Sequence, residues 1–419
     1  MRSSNKPYTR RSESELTAAG RLDEHREFIA FTALITSSIA LSIDMLLPAF
    51  GDLRTSYGME PTSNLPGLTI TCIFIGMAIG MPICGPLADT FGRLPVLRIG
   101  IALFALGALG STLSPNLPVL LISRIIWGIG CAAPRTLSQA MVRDRFEGNE
   151  MARVFAIIQT IFFAGPVLAP LIGALLLQAG SWRLTMVFGL ATAVAMWLWS
   201  FRIDESLRPE NRRELSFSGV GAGVRIVCTT RITIGCAVIL LFCGGAFYSF
   251  LSSSELIITE IFGRSGWFVP YFSITMLVMA GVALTSSRVV HRLGALNLTR
   301  GALIAQFVLS VSMLVVTLVS SGVPPVGLWM VLMSAQISAF VVLMPNINTL
   351  ALEPMGALAG TAASTIGFVT LALGALLGAV IDRQIVSTVT PLSVGWALSA
   401  AIGLLVFLTI IPRRPTQAH

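Results

Sequence analysis

The chain has 419 residues, of which 54% are hydrophobic and 11% charged, with a mean hydropathy of +0.82. An average soluble domain carries about 25% charged residues, so this composition argues against a water-soluble enzyme and for a protein solvated by lipid. The net charge of +8 does not favour nucleic acid, because Lys6 and the arginines fall in short clusters between apolar stretches, not along one phosphate-tracking face.

In chain order, residues 1–27 are polar and of mixed charge. They lack the apolar segment and small-residue cleavage site of a signal peptide and are expected to remain as a cytosolic tail. The stretch from Ser14 to Glu27 is either a short amphipathic helix or disordered. A bilayer-spanning helix needs about 20 apolar residues, and that unit recurs near 28–50, 66–88, 95–113, 118–140, 152–178, 182–201, 232–254, 267–289, 297–319, 326–350, 358–381 and 390–411. The expected fold is therefore an all-α integral membrane protein of twelve transmembrane helices. Residues 412–419 form a second cytosolic tail.

The loop cations alternate. One side collects the tail arginines, then Arg93 and Arg98, Arg143 to Arg153, Arg202 to Arg231, Arg288 to Arg300, and Arg413 with Arg414; the other has Arg54, Arg183, Arg264 and Arg383. The positive-inside rule then places both termini in the cytosol. Residues 202–231 form the longest internal polar stretch and read as a linker, dividing the chain into six-span bundles over 28–201 and 232–411.

An internal repeat supports that division. "GPLADTFGRLPVLRIG" after the second span aligns with "SSRVVHRLGALNLTRG" after the eighth, pairing Gly92 with Gly294, Arg98 with Arg300 and Asp89 with His291. The same offset lays the fifth span on the eleventh. Two halves of the same insertion sense are parallel repeats, related by a pseudo-twofold axis along the membrane normal.

Chemistry-bearing residues inside spans are few. An ionisable group at mid-bilayer costs at least about 2.5–3.5 kcal/mol on insertion scales and persists only if paired, hydrated or useful. Asp44 precedes Pro48 by four residues in the first span. Low dielectric raises a carboxyl pKa and a nearby arginine lowers it, so an acid between these effects can load and release a proton; the alternative is a structural hydrogen bond at the kink. Arg124 lies in the fourth span, either in a functional pairing or snorkelling to the interface. Arg135, after Pro134, either neutralises an acid such as Asp44, anchors an anionic substrate group, or snorkels to the cytosol. Glu255 ends the seventh span, as a second proton or cation site or as an interfacial acid facing water. Met45, Phe74, Gln159, Phe163, Tyr248 and Asn346 are candidate liners of a largely apolar cavity, or packing residues. The six cysteines form no CxxC and read as small apolar packers. No HExxH, GxSxG or P-loop pattern appears, and no metal or cofactor site is expected.

Several stretches carry a family resemblance. "GPLADTFGRLPVL" resembles the loop signature of the major facilitator superfamily, with Leu94 in place of the usual second base. Gly85 and Gly92 there would allow close approach and a tight turn, while Asp89 and Arg93 would latch the cytosolic side. "RIIWGIGCAAP" resembles the family pattern whose arginine, here Arg124, is tied to proton coupling; Trp127 stands where glutamine is usual. "AGPVLAPLIGALL" resembles the fifth-span signature of the drug/proton antiporter branch, with Gly165, Pro166, Pro170 and Gly173 shaping a pivot. "SIDMLLPAF", "MVRDRF", "GSWRLTMVF" and "YSFLSSSELIITEIFG" resemble the bicyclomycin-resistance (Bcr/CflA) group. The resemblance implies a proton-coupled exporter of small amphipathic compounds, not an enzyme, working by alternating access. The alternative is an importer or exporter of a specific metabolite on the same architecture. Its partners would be a small-molecule substrate, protons and the lipid bilayer, with no nucleic acid, in a monomer.

Overall fold

The computed structural model describes residues 25–212, 225 and 227–410. The tail before His25, the linker interior and the last nine residues lie outside the described residues, as do the tail readings made on them. Among the described residues twelve helices are long and apolar enough to cross a membrane, and we number these spans α1 (Arg26–Ser56), α2 (Leu65–Phe91), α3 (Arg93–Leu113), α4 (Leu117–Arg145), α5 (Gly148–Ala179), α6 (Arg183–Arg202), α7 (Arg231–Ile261), α8 (Ser265–Val290), α9 (Arg292–Val319), α10 (Val326–Gly356), α11 (Ala362–Asp382) and α12 (Thr390–Ile410). The described residues contain no strand. Large aliphatic side chains such as Leu113, Val319 and Val331 point outward. In water that would be costly; against lipid tails it is the expected outer surface.

The spans form two bundles with the same internal packing. In the first, α1 packs on α5 and α6, and the α2–α3 pair packs on α4, with α3 reaching α6. In the second, α7 packs on α11 and α12, and the α8–α9 pair packs on α10 and α12. The aligned glycines of the repeat take similar places: Gly92 joins α2 to α3 at φ 104°, and Gly294 breaks the helix within the first turn of α9 at φ 76°. Both angles lie in the left-handed region that a side chain disfavours. Between bundles, α2 meets α11 and α5 meets the α8–α9 pair.

Glu27 at the start of α1 pairs with Arg202 at the end of α6, and Arg231 at the start of α7 donates to the Thr409 carbonyl at the end of α12. We call this side the termini face and the opposite side the far face. Polar links between the bundles lie toward the far face: Arg54 with Glu255, Asn64 with the carbonyls of Asp382 and Ile385, and Ser273 with the Val167 carbonyl. Toward the termini face, Ala156, Gln159 and Thr160 on α5 and Gly281, Thr285 and Arg288 on α8 are exposed. The polar contacts between the bundles thus gather at the far face, while toward the termini face these exposed positions lie open and the bundles meet through Met81 of α2 against Gly367 of α11.

The predicted spans are correct in number and order, but several helices run further than the apolar windows. The largest difference is α1, expected to end near residue 50. It is α-helical to Asp44, makes a 3₁₀ turn at Leu47–Ala49 around Pro48, and resumes as α-helix over Phe50–Ser56. Proline supplies no N–H, so the helix breaks locally without changing direction enough to end the span. This extension takes Arg54 out of the loop and buries it.

Candidate functional site

Asp44 ends the first α-helical segment of α1 and is 5% exposed. Among the described residues its carboxyl meets no hydrogen-bond donor and no cation. The helix end after Asp44 is closed by the backbone, with Met45 N–H donating to the Leu41 carbonyl at 3.3 Å, so the expected alternative of a structural hydrogen bond at the kink is not what the carboxyl makes here.

Arg124 on α4 is 1% exposed. Its Nη1 donates to the Ser42 carbonyl at 2.9 Å, its guanidinium lies 4.7 Å from the Trp127 ring centre, and its Nε has no partner. Such burial is not the interfacial snorkelling weighed from the sequence. Ser42 and Asp44 are two residues apart, roughly 200° around a helix, so Arg124 holds α1 from one side while Asp44 sits on another. Trp127, standing where the family pattern has glutamine, gives Arg124 an aromatic face instead of an amide. The indole fits a slot left by Gly189: a Cβ there would fall 2.4 Å from the ring.

Between the bundles, Phe74 of α2 and Tyr248 of α7 pair at 4.3 Å between ring centres. Arg135, half-buried on α4, lies within electrostatic reach of the Tyr248 hydroxyl and forms no ion pair among the described residues. The expected neutralisation of Asp44 by Arg135 is therefore absent in this arrangement. Gln159 is exposed, Phe163 is half-buried against Phe162, and Asn346 is buried with its amide donating to the Val342 carbonyl of its own helix at 2.7 Å. Met45 is buried, and its carbonyl faces Gly173 of α5, where a Cβ would stand 2.1 Å from the oxygen. Gly165 lies against Ala40 in the same way, and Pro166 and Pro170 are buried on that helix. These residues draw α5 against α1.

The far-face contact is built around Arg54. Its Nη2 and Nη1 donate to the two carboxyl oxygens of Glu255 at 2.6 and 3.3 Å, and its Nε donates to the Ser63 carbonyl at 2.8 Å. Glu255 is 4% exposed; the expectation that it faces water is overturned because α1 continues past Pro48 and brings a guanidinium onto it. Asp382 at the end of α11 is buried close by, with both carboxyl oxygens unpartnered.

At the termini face, Arg93 joins Asp89 on α2 and Asp144 on α4, the latter at 2.9 Å. Glu205, just beyond α6, accepts from the backbone N–H groups of Arg93 and Leu94, both at 3.0 Å, and so caps α3 with a negative charge at its positive end. Gly92 makes the tight turn expected of it. Gly85 differs from its expected close approach, because a Cβ there would meet nothing within 4 Å. That role falls to Gly76 and Gly128, whose Cβ atoms would each stand 2.2 Å from a carbonyl of the facing helix. The Asp89–His291 comparison rests on a side chain outside the described ones.

Sequence reasoning missed Asp144, Glu205, Asn64 and Asp382. Asp382 carried a signal, being the acid at the end of an otherwise apolar span; Glu205 and Asn64 gave none above ordinary loop polarity.

The major facilitator superfamily model matches residues 32–379. A bicyclomycin resistance protein homolog of Haemophilus influenzae is 27% identical over 392 residues, covering 92% of this chain and 96% of that protein. The multidrug resistance protein MdtL of Salmonella heidelberg is 24% identical over 384 residues, covering 90% and 93%. Among solved structures, the inward-open xylose transporter XylE of E. coli superposes with a TM-score of 0.72 at 15% identity, over 93% of this chain and 98% of that one. The expected likeness to the bicyclomycin-resistance group is thus found over nearly the whole chain, and twelve spans in two bundles with a family model across both identify a multi-pass membrane transporter, not an enzyme: the chain belongs to the major facilitator superfamily.

Proposed function

We propose that the protein exports small amphipathic compounds in exchange for protons, by alternating access of a central site to the two sides of a bacterial inner membrane. The observation that carries this reading is Asp44, a buried carboxyl on α1 with no donor or cation against it among the described residues. Gaining or losing a proton there changes the charge held between the bundles by one, and a substrate arriving beside it competes for that space. Arg124 fixes the α1 backbone at Ser42 and so positions Asp44. Arg135, free of any acid, anchors a polar or anionic group of the substrate beside Tyr248, with Phe74 supplying apolar contact.

The names of the relatives, bicyclomycin resistance and multidrug resistance, support drugs as the cargo class. Arginine-rich loops make the termini face cytosolic, so the arrangement described here opens to the cytosol. The two bundles, the first carried on from 28–201 to Leu207 and the second over 232–411, act as the rocking units in a monomer, joined by the chain between them. The Asp89–Arg93–Asp144 cluster and the α1–α5 glycines take part in that motion, as a termini-face latch and a pivot.

Proteoliposomes test the reading. In the wild type an imposed proton gradient is expected to drive an amphipathic dye against its own concentration difference. Asp44→Asn is expected to bind and exchange the dye yet lose gradient-driven movement. Undiminished gradient-driven movement in that variant removes Asp44 from the mechanism, and a wild type that moves no amphipathic compound removes the export reading.

A further inference from the structure

The far-face contact contains one more carboxyl than its ion pair uses. Asp382 is 1% exposed, and neither Oδ1 nor Oδ2 has a hydrogen-bond partner. Its Oδ2 faces Gly67 so closely that a Cβ there would stand 2.8 Å away, and the same point lies 3.0 Å from Ser252 Cβ on α7. The charged groups that reach Asp382 are its neighbour Arg383 and, across the bundle boundary, Arg54. From α7 the gate receives Glu255, the hydroxyl of Ser252 and, at its exposed rim, Glu260; the turn at Leu65–Gly67 and the start of α12 at Thr390 bring no charge. Arg54 is already committed, with two nitrogens on Glu255 and the third on the Ser63 carbonyl. Two buried carboxyls thus lie within electrostatic reach of one buried guanidinium, Arg383 being exposed on the outer side.

Solvent comes close to this cluster from one side. A cavity of about 470 Å³ at the far face is lined by residues between Gly58 and Leu65 together with Arg383 and Val386. Asn64 belongs both to that wall and to the gate, where its amide donates to the Asp382 carbonyl.

We propose that Asp382 is a proton-binding site of the far-face gate, loaded from the far-face cavity, and that the bound proton keeps the gate shut by leaving Arg54 wholly to Glu255. Without that proton two carboxylates share one buried guanidinium, with the only other cation in reach, Arg383, exposed to water, and a buried charge compensated only from the solvent side favours the arrangement in which water enters. The proton arrives and leaves on the same face. It therefore sets how readily acid on that side returns the carrier to the termini-open arrangement and adds nothing to the protons exchanged through Asp44. The inference rests on alternating access, but not on Asp44 or on the identity of the cargo.

Ser252, buried under Gly67, reports the gate. Ser252→Cys is placed in a background whose six native cysteines are replaced by serine, and is labelled from the far face with a membrane-impermeant maleimide. Rates are normalised to Glu60→Cys on the exposed cavity wall, which removes the intrinsic pH dependence of thiol reactivity. The normalised rate is expected to be about tenfold higher in alkaline than in acidic medium, as for a two-state gate shifted by one proton. With Asp382→Asn added it is expected to stay low at both. A normalised rate independent of pH in the presence of Asp382, or a pH response that survives Asp382→Asn, overturns the proposal. Infrared difference spectra of the purified Asp44→Asn protein give a reading that does not need the Asp382 variant to fold: a protonated-carboxyl stretch that disappears on alkaline titration is expected, and its absence overturns the proposal. Gradient-driven transport surviving in Asp44→Asn would remove the coupling reading and leave these gate measurements unaffected.

Discussion

Arg54 Nη2 stands 2.6 Å from Glu255 Oε2, and the two residues belong to different bundles, with side chains 3% and 5% exposed. A buried pair of this kind acts mainly through the penalty for breaking it, about 3–5 kcal/mol when one partner is removed and the other charge is stranded. Arg54→Gln and Glu255→Gln are each expected to lower the thermal stability of the purified protein and to raise accessibility at the far face. The double variant strands no charge and is expected to lose less than the two single losses together. Thermal unfolding of the four proteins forms the cycle, and strictly additive losses would separate this pair from far-face closure.

Gly173 and Gly85 are expected to respond oppositely to alanine. At Gly173 the new methyl would meet the Met45 carbonyl at 2.1 Å, a backbone atom that cannot swing away, whereas at Gly85 it meets nothing within 4 Å. Overpacking of this kind costs about 1–3 kcal/mol or more. Gly173→Ala should therefore lower stability and transport together, and Gly85→Ala should leave both near wild type. Expression level, unfolding temperature and dye efflux from cells check the pair.

Glu205→Ala removes the acceptor of two backbone N–H groups at the start of α3. Loss of a cap costs about 0.5–2 kcal/mol, and Glu205→Gln, which keeps an acceptor oxygen but not the charge, should fall between wild type and alanine. Thermal unfolding ranks the three proteins, and equal stability would exclude the cap as a stabilising contact.

Arg135 forms no ion pair among the described residues, so Arg135→Met strands no carboxylate and should fold. Its effect is expected in ligand preference: affinity for anionic compounds falls about tenfold, the effect of about 1.4 kcal/mol, while neutral compounds of similar size are held unchanged. Binding isotherms for a matched anionic and neutral pair decide the matter. Equal losses for both would make Arg135 a packing residue.

The fold was legible because lipid imposes a simple rule. Each span needs an apolar run, and each loop advertises its side by its arginines, so the number and order of α1 to α12 follow from composition along the chain. The repeat was legible for a different reason: Gly92 and Gly294 each occupy a backbone conformation that few other residues tolerate, so the pair stands out in alignment. The far-face cluster was largely hidden. Arg54 looked like a loop cation because the apolar run of the first span ended near residue 50, and only the resumption of helix over Phe50–Ser56 carries it onto Glu255. Asp44 and Arg124 were visible as charges in apolar surroundings, but which partners they lack or hold depends on helix rotation, which a single sequence does not encode.

The segment following α6 has a consequence for how the polypeptide is divided. Ile203 and Leu207 are buried, Ser206 donates to Asp144 at 3.2 Å, and Glu205 closes the start of α3. Residues up to at least Leu207 are thus structural members of the first bundle, although by polarity alone they look like tether. A protein expressed as two separate fragments would reassemble from a break placed beyond Arg212, while a break directly after Arg202 would hand the second fragment a piece of the first one's interior and leave α3 open at its start.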